Sequence, residues 1–354
     1  MNKHHKPKVL VVGTGGTIGA RKVGGYLRYG EIIQEELLTL VPEVKDHVDV
    51  TATNLFRLHS ADMHPENWVS LAQFISYYLD DVDGVVVTHG EDTMAYTAAA
   101  MGFMIQNLNI PIVFTGAQSI PQMIGSDARV NLVDAIRVAA SADLAESVIV
   151  FDRKIIRGVR AKKLSASQYH AFDSGSQKRL GILQQEILLE GFQKRRDKKR
   201  KPTVYTNIEP NVGIVKMRPG IRPAQLEYLM NTGLKGIILE GYGLGNIPMG
   251  KDNMKQAIND IVASGIPVAL TSENEFGVGW QNIYNQEVEE RLRGTNILEC
   301  YDMLTETALV KMMWVLGQTR KIEKIYKMMQ HNYLGEISKD CSVLGRAGMW
   351  ERKI

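Results

Sequence analysis

Apolar residues run continuously, not alternately, through a series of short segments of the chain, and amphipathic segments lie between them. KVLVVG, GVVVTHG, PIVFTGA and SVIVFD are such runs over residues 8–152, each rich in Val, Ile or Phe, and VDVTATNLF reads as a further strand after the first. EIIQEELLTLV, ENWVSLAQFISYYL, TMAYTAAAMGFMIQNL and SDARVNLVDAIRVAASA carry apolar residues at helical spacing between them. Continuous apolar strands alternating with helices predict a mostly parallel sheet covered on both faces. Ser126-Asp127 is a candidate cap for the fourth helix. The same alternation returns after residue 211: GIVKMR, PAQLEYLMN, GIILEGYG, NMKQAINDIVAS, PVALTS, then helices near 305–318 and 321–332.

Between the two stretches lies GFQKRRDKKRKPTVYTNIEPN, a dense basic run followed by two prolines. A basic run suits nucleic acid or an acidic partner, but no matching basic face exists elsewhere, so a solvated interdomain linker is expected. The expected architecture is two α/β domains: residues 1–190 with the larger, mostly parallel sheet and flanking helices, a linker over 191–211, and a smaller α/β domain over 212–354.

Composition narrows the function classes. With 354 residues and a formal net charge of +3, the chain can bury a large core, and its charge predicts neither nucleic-acid nor membrane binding. Two cysteines, Cys300 and Cys341, and no CxxC pair argue against a disulfide scaffold or a thiol-rich zinc site. The N-terminal basic and apolar residues lead straight into a glycine loop and read as a first strand, not a signal peptide. No apolar stretch reaches the roughly 20 residues of a membrane span. A cytoplasmic, reduced, soluble protein is expected.

Candidate chemistry gathers at strand ends. GTGGTIG, residues 13–19, departs from GxGxxG because Ile18 stands where the third glycine belongs, and no acidic residue follows at the right distance. No cofactor is expected there. Its glycines instead allow close backbone approach and frame two hydroxyls, Thr14 and Thr17, and a threonine becomes a nucleophile when a base or cation converges on it. After GVVVT stand His89-Gly90 and then two adjacent carboxylates, Glu91 and Asp92. They are either site residues or the acids that a helix start favours. His89, His59 and His64 lack metal spacing, so no metal is expected, and His4 and His5 sit in a tail.

TGGTIG near the start, HGEDTM some seventy residues on, then TGAQ, together with HSADMHPENW, SDARVNLVDAIRVAAS, RGVRAKK and DMLTETALVKMMWVL, resemble the L-asparaginase family, nearest its cytoplasmic type I branch. The resemblance covers more than 300 residues and implies a two-domain fold and hydrolysis of L-asparagine to L-aspartate and ammonia without a cofactor. It matches Thr17 to the nucleophilic threonine and Tyr26 to the tyrosine that helps activate it. Ser60, with Ala61, falls in the loop that holds the substrate α-carboxylate, and Asp92 where an aspartate pairs with the α-ammonium. Lys163 falls on the active-site lysine, and the carbonyl of Ala117 on the one that receives the side-chain amide. Asn246 is matched to a contact across a dimer interface, since family sites are completed by a neighbouring subunit. A small-molecule amide substrate and a homodimer or homotetramer follow from the same resemblance.

The departure is Glu91, which stands where the family has a second catalytic threonine. Several readings are open. Glu91 pairs with Lys163 and serves as base; or it fills the site and leaves a catalytically silent binding homologue; or the site takes a different amide; or Glu91 merely points to solvent. A glutamine-hydrolysing subunit of a tRNA-dependent amidotransferase shares this fold but carries an extra N-terminal domain, and a first strand beginning near residue 8 is expected to leave no room for one.

Overall fold

The computed structural model describes residues 6–338, except 176, 192, 244 and 276–296; His4, His5 and Cys341 lie outside the described residues. The chain divides into two compact units, one ending at Ile208 and the other beginning at Glu209.

The first unit is built on an eight-stranded sheet. Its strands are β1 (Lys8–Gly15), β2 (Asp49–Leu58), β3 (Gly84–Thr88), β4 (Ile112–Thr115), β5 (Ser147–Phe151), β6 (Lys154–Arg157), β7 (Gly181–Leu183) and β8 (Ile187–Leu189), in the order β8-β7-β6-β5-β4-β3-β1-β2. The five strands β1 to β5 are parallel; β6, β7 and β8 extend one edge in antiparallel pairs. Val9, Val11, Val86, Val113 and Val148 pack in one core with Leu132, Ala135, Ile136 and Ala139 of helix α3 (Ala128–Ser141). The alternate positions Leu10, Val12, Val85, Val87, Phe114 and Ile149 are buried too. Both faces are therefore covered, which is why these strands read as unbroken apolar runs. Two more helices, α1 (Pro65–Tyr78) and α2 (Met94–Met104), follow β2 and β3.

Two expectations are corrected here. EIIQEELLTLV does not form a long helix: one α-turn, Gln34–Leu37, passes into a 3-10 turn, Leu38–Leu40. Gly30 in the left-handed region and Pro42 bracket the segment, and the residue before a proline is disfavoured in the α region.

The basic run is not a solvated tether. Arg196 donates through its guanidinium to the carbonyls of Ala142, Asp83 and Ala139, and Arg200 donates to the Leu108 carbonyl at 2.7 Å. Thr203–Val204 then pairs antiparallel with Ile105–Gln106. The last carbonyls of a helix lack partners within it and sit at its negative dipole end. Arg196 meets such a need after α3. Arg195, Lys198, Lys199 and Lys201 stay exposed, with Lys198 paired to Asp83 and Arg195 to Asp143.

The second unit has a parallel four-stranded sheet, β9 (Val212–Lys216), β10 (Gly236–Gly241), β11 (Val268–Ser272) and β12 (Leu298–Glu299), in sequence order. Helices α4 (Pro223–Leu229) and α5 (Lys255–Ala263) share one core with Ile237, Leu239, Val268 and Leu270. Helix α6 (Thr305–Gln318) lies against Gly236 through Met312 and Leu316, and α7 (Ile322–Gln330) follows it. Within this unit Lys311 and Glu336 form a fully buried ion pair at 2.6 Å. Among the described residues no helix is long and apolar enough to cross a membrane.

Candidate active site

The site of interest forms where β1, β2, β3 and β4 end, the side of a parallel sheet at which open α/β folds gather ligands. The ends of three strands are drawn together because two residues have no side chain. A Cβ on Gly16 would lie 2.3 Å from Cα of Gly90, and one on Gly90 would lie 2.6 Å from Cβ of Ser60. The amide of Gly16 donates to the carbonyl of Leu58 at 3.0 Å, fixing the turn after β1 to the end of β2.

Thr17 opens a single 3-10 turn, Thr17–Gly19, directly after these glycines. It is half-buried, and its hydroxyl makes no hydrogen bond among the described residues. The other hydroxyl on the loop is accounted for: Thr14 is buried and donates to the carbonyl of Thr88 at 2.9 Å, tying β1 to β3. The loop therefore presents one available hydroxyl.

Ser60 is buried at the start of the turn Ser60–Asp62, and its carbonyl accepts the hydroxyl of Thr93 at 2.7 Å. Ala61 is exposed, with its amide held by Nδ1 of His59 at 3.0 Å. Ala117 is fully buried just beyond β4. Tyr26 is not brought to this cluster: it is 80 % exposed on a hairpin formed by Arg21–Val23 and Tyr26–Arg28. Asn246 belongs to the second unit, exposed in a turn closed by its hydrogen bonds with Tyr242 at 2.7 and 2.9 Å.

Glu91 and Asp92 occupy the first turn ahead of α2, yet they face different surroundings. Asp92 is 55 % exposed and accepts from Lys163 Nζ at 2.7 Å. Glu91 is 7 % exposed and lies 3.2 Å from the same nitrogen through Oε2. Its Oε1 is buried without a hydrogen-bond partner. A Glu91 pointing to solvent is thus ruled out. Lys163 reaches the acids from a short strand, Ala161–Lys163, paired antiparallel with Phe172–Ser174.

Burial pushes the Glu91 carboxyl from its ordinary 4.5 up to about 7; Lys163 opposes the rise, and the charges of Asp127 and Asp92 add to it. Burial alone would pull Lys163 down, but its hydrogen bond to Asp92 and the charges of Glu91 and Asp92 outweigh that and hold its pKa above the ordinary value. The neighbouring His89 is fully buried, which lowers its pKa to about 4 against the contrary pull of the Gly90 carbonyl. The arrangement offers an available hydroxyl on a glycine turn, a fixed ammonium, an exposed acid held by that ammonium and, at neutral pH, a buried acid poised between its two states. Among the described residues no three His, Cys, Asp or Glu side chains converge as a metal site. Cys300 is buried in the second unit, where burial raises its thiol to about 12.

Sequence reasoning missed two residues beside the site. Asp127 is expected from the sequence to cap α3, but its side chain makes no cap bond; it accepts the amides of Gln118 and Ser119 instead, at 3.0 and 3.1 Å. Asn131, one helical turn on, donates to the Gly116 carbonyl at 3.1 Å. Their spacing of four residues at the start of a helix that follows TGAQ was the available signal.

Residues 8–194 match the N-terminal asparaginase family model, and residues 211–329 match the glutaminase/asparaginase C-terminal domain. The chain is 37 % identical over 347 residues to a subunit of the glutamyl-tRNA(Gln) amidotransferase of Pyrococcus abyssi, covering 94 % of this chain and 77 % of that protein. The corresponding protein of Thermococcus kodakarensis is 37 % identical over 351 residues, covering 95 % and 78 %. Among solved structures, the thermostable L-asparaginase from Thermococcus kodakarensis superposes with a TM-score of 0.88 at 32 % identity, covering 94 % of this chain and all of that one. L-asparaginase I from Vibrio cholerae gives 0.85 at 28 % identity, with the same coverage. Two family models spanning both units, over a sheet whose strand ends carry the glycine turn and the acid–lysine cluster, place the chain in the asparaginase family.

Proposed function

We propose that this chain is an amidohydrolase that hydrolyses the side-chain amide of L-asparagine, with Thr17 as nucleophile and Glu91 as the group that moves its proton. The observation that carries the reading is the buried Glu91 carboxyl against Lys163, at the strand ends where Thr17 presents its unbonded hydroxyl. An amide is a poor electrophile and a threonine hydroxyl a poor nucleophile, so the proton must be removed as the C–O bond forms. An acid with a pKa of about 7 suits proton transfer in both directions. When ionised, it accepts the Thr17 proton; when protonated, it returns one to the departing ammonia. Water then attacks the acyl-threonine, loses a proton to the same carboxylate, and aspartate leaves as the Thr17 hydroxyl is restored. Asp92 is assigned to the substrate ammonium, Ser60 and Ala61 to its carboxylate, and the Ala117 carbonyl to the amide N–H. Tyr26 joins the site in this reading only if the hairpin that carries it closes. Asn246 is proposed to contact a neighbouring subunit in a homodimer or tetramer.

A second reading has a specific support. The relatives from Pyrococcus abyssi and Thermococcus kodakarensis are subunits of a glutamyl-tRNA(Gln) amidotransferase, so release of ammonia from L-glutamine for a protein partner is the alternative use of the same site. One experiment separates these readings from a silent binder: ammonia release from L-asparagine and from L-glutamine, by this chain and by Glu91→Thr, across about pH 5–9, the range that brackets a carboxyl tuned for acid–base work. Turnover of asparagine that falls in Glu91→Thr supports the proposal. Turnover confined to glutamine supports the second reading. Silence in this chain with turnover in the variant means that Glu91 blocks the chemistry.

A further inference from the structure

The loop after β4 carries Ala117 and passes beside Glu91: a Cβ on Gly116 would lie 3.7 Å from Cγ of Glu91. The polar backbone of this loop is answered by two side chains on one face of the start of α3. Asp127 accepts the Gln118 amide through Oδ2 and the Ser119 amide through Oδ1. Asn131 is buried; its Nδ2 donates to the Gly116 carbonyl and, at 3.0 Å, to Asp127 Oδ2, while its Oδ1 accepts the Asp152 amide at 3.1 Å. Both polar atoms of the Asn131 side chain thus face the loop, Asp127 or the turn after β5. Asp127 commits its carboxylate to the loop, and the cap of α3 falls to Ser126, whose hydroxyl accepts the Ala128 amide at 3.2 Å.

We infer that Asp127 and Asn131 are positioning residues of this site, fixing the Ala117 loop against Glu91, with Asp127 bringing a further negative charge to bear on that carboxyl. The kinetic side of the inference rests on the amidohydrolase reading; the electrostatic side does not. The charged groups that act on Glu91 are Lys163 from its strand, Asp92 from its own turn and Asp127 from the start of α3, while His89 beside it is neutral near pH 7. Lys163 favours the ionised carboxyl, and Asp127 and Asp92 oppose it. Removing the charge at 127 while keeping an acceptor there lowers the pH at which Glu91 titrates. Weakening the amide bonds frees the loop that receives the substrate amide.

The test uses the full chain and Asp127→Asn, with Asp127→Glu as the charge-conserving control. The first readout is the pH dependence of unfolding, in which the step belonging to Glu91 is identified by its absence from Glu91→Gln. The second is the pH profile of ammonia release, with KM and kcat separated. Asp127→Asn is expected to move the Glu91 step to lower pH and to raise KM about tenfold, the scale of one weakened charge-assisted hydrogen bond. Asp127→Glu is expected to hold the step and raise KM alone. An unmoved step in Asp127→Asn with an unchanged KM overturns the inference. If the chain releases no ammonia at all, the amidohydrolase reading fails, and the step alone decides the role of Asp127. If Asp127→Asn does not fold, an unchanged KM in Asp127→Glu overturns the positioning role and a raised one supports it.

Discussion

Lys163 Nζ lies 3.2 Å from Oε2 of Glu91, a carboxylate that is 7 % exposed and leaves its other oxygen buried without a partner. One ammonium is thereby shared between a buried acid and an exposed one, since Asp92 holds the same nitrogen at 2.7 Å. The two acids are adjacent in sequence but not equivalent in energy. Asp92 keeps solvent, whereas Glu91 loses it and recovers only part of the lost solvation from Lys163.

Glu91 should make stability fall with rising pH. Its folded pKa of about 7 lies above the ordinary 4.5, so the folded state binds the proton more tightly than the unfolded chain does. The associated stability is fully present below about 4.5, declines as pH rises and is gone above about 7. Glu91→Gln removes this dependence. Relative to the parent, the variant is expected to gain up to about 3 kcal/mol between about pH 4 and pH 8, measured by urea unfolding at both pH values. Equal differences at the two pH values would contradict the assignment.

Thr17→Ala should abolish ammonia release, by about a thousandfold or more if the hydroxyl forms the acyl intermediate, with an unchanged unfolding midpoint. Thr17→Ser keeps the hydroxyl and should retain measurable turnover. The proposal fails if the alanine variant remains as active as the parent.

Gly16→Ala should damage both fold and site. Gly16 has φ of 75°, and the added methyl would sit 2.3 Å from the backbone of Gly90. The Gly16 φ of 75° with ψ of -176° is a conformation essentially reserved to glycine, which costs a residue with a side chain about 1–3 kcal/mol, and the clash forces two strand ends apart. A lower melting temperature and loss of turnover are expected in the same variant.

In the second unit, Lys311 donates to the carbonyls of Met329 and His331 and to Glu336, while Glu336 accepts the amides of Tyr333 and Leu334. The ion pair therefore staples the segment after α7 onto α6. Lys311→Met leaves Glu336 buried and unpaired, and should cost about 3–5 kcal/mol. Adding Glu336→Gln to it should recover part of that loss, which a double-mutant cycle in chemical unfolding would measure.

Much of this was legible along the chain. The unbroken apolar runs of β1 and β3 to β5 announced strands buried on both faces, and Val9, Val86, Val113 and Val148 do share one core with α3. The glycine turn, the paired acids and the lysine were each visible as residue types at strand ends. The helix expected over EIIQEELLTLV is reduced to one α-turn and a 3-10 turn, because Ile33 is extended and Pro42 disfavours helix at Val41, and periodicity carries no information about such brackets. Arg196 read as part of a solvated charge run, and only the carbonyls at the end of α3 make it an inward-facing cap.

The amino-acid sequence by itself determined the buried parallel strands, most of the helices between them and the residue types that stand at their ends, because hydrophobic periodicity and glycine placement are local properties. It left open where two neighbouring acids would point. Only the tertiary structure decided that Glu91 turns inward beneath Lys163 while Asp92 stays in water, and that Asp127 serves the Ala117 loop instead of its own helix. Burial and the convergence of charges from separate strands set the proton affinity of a carboxyl, and neither exists until the strands are assembled.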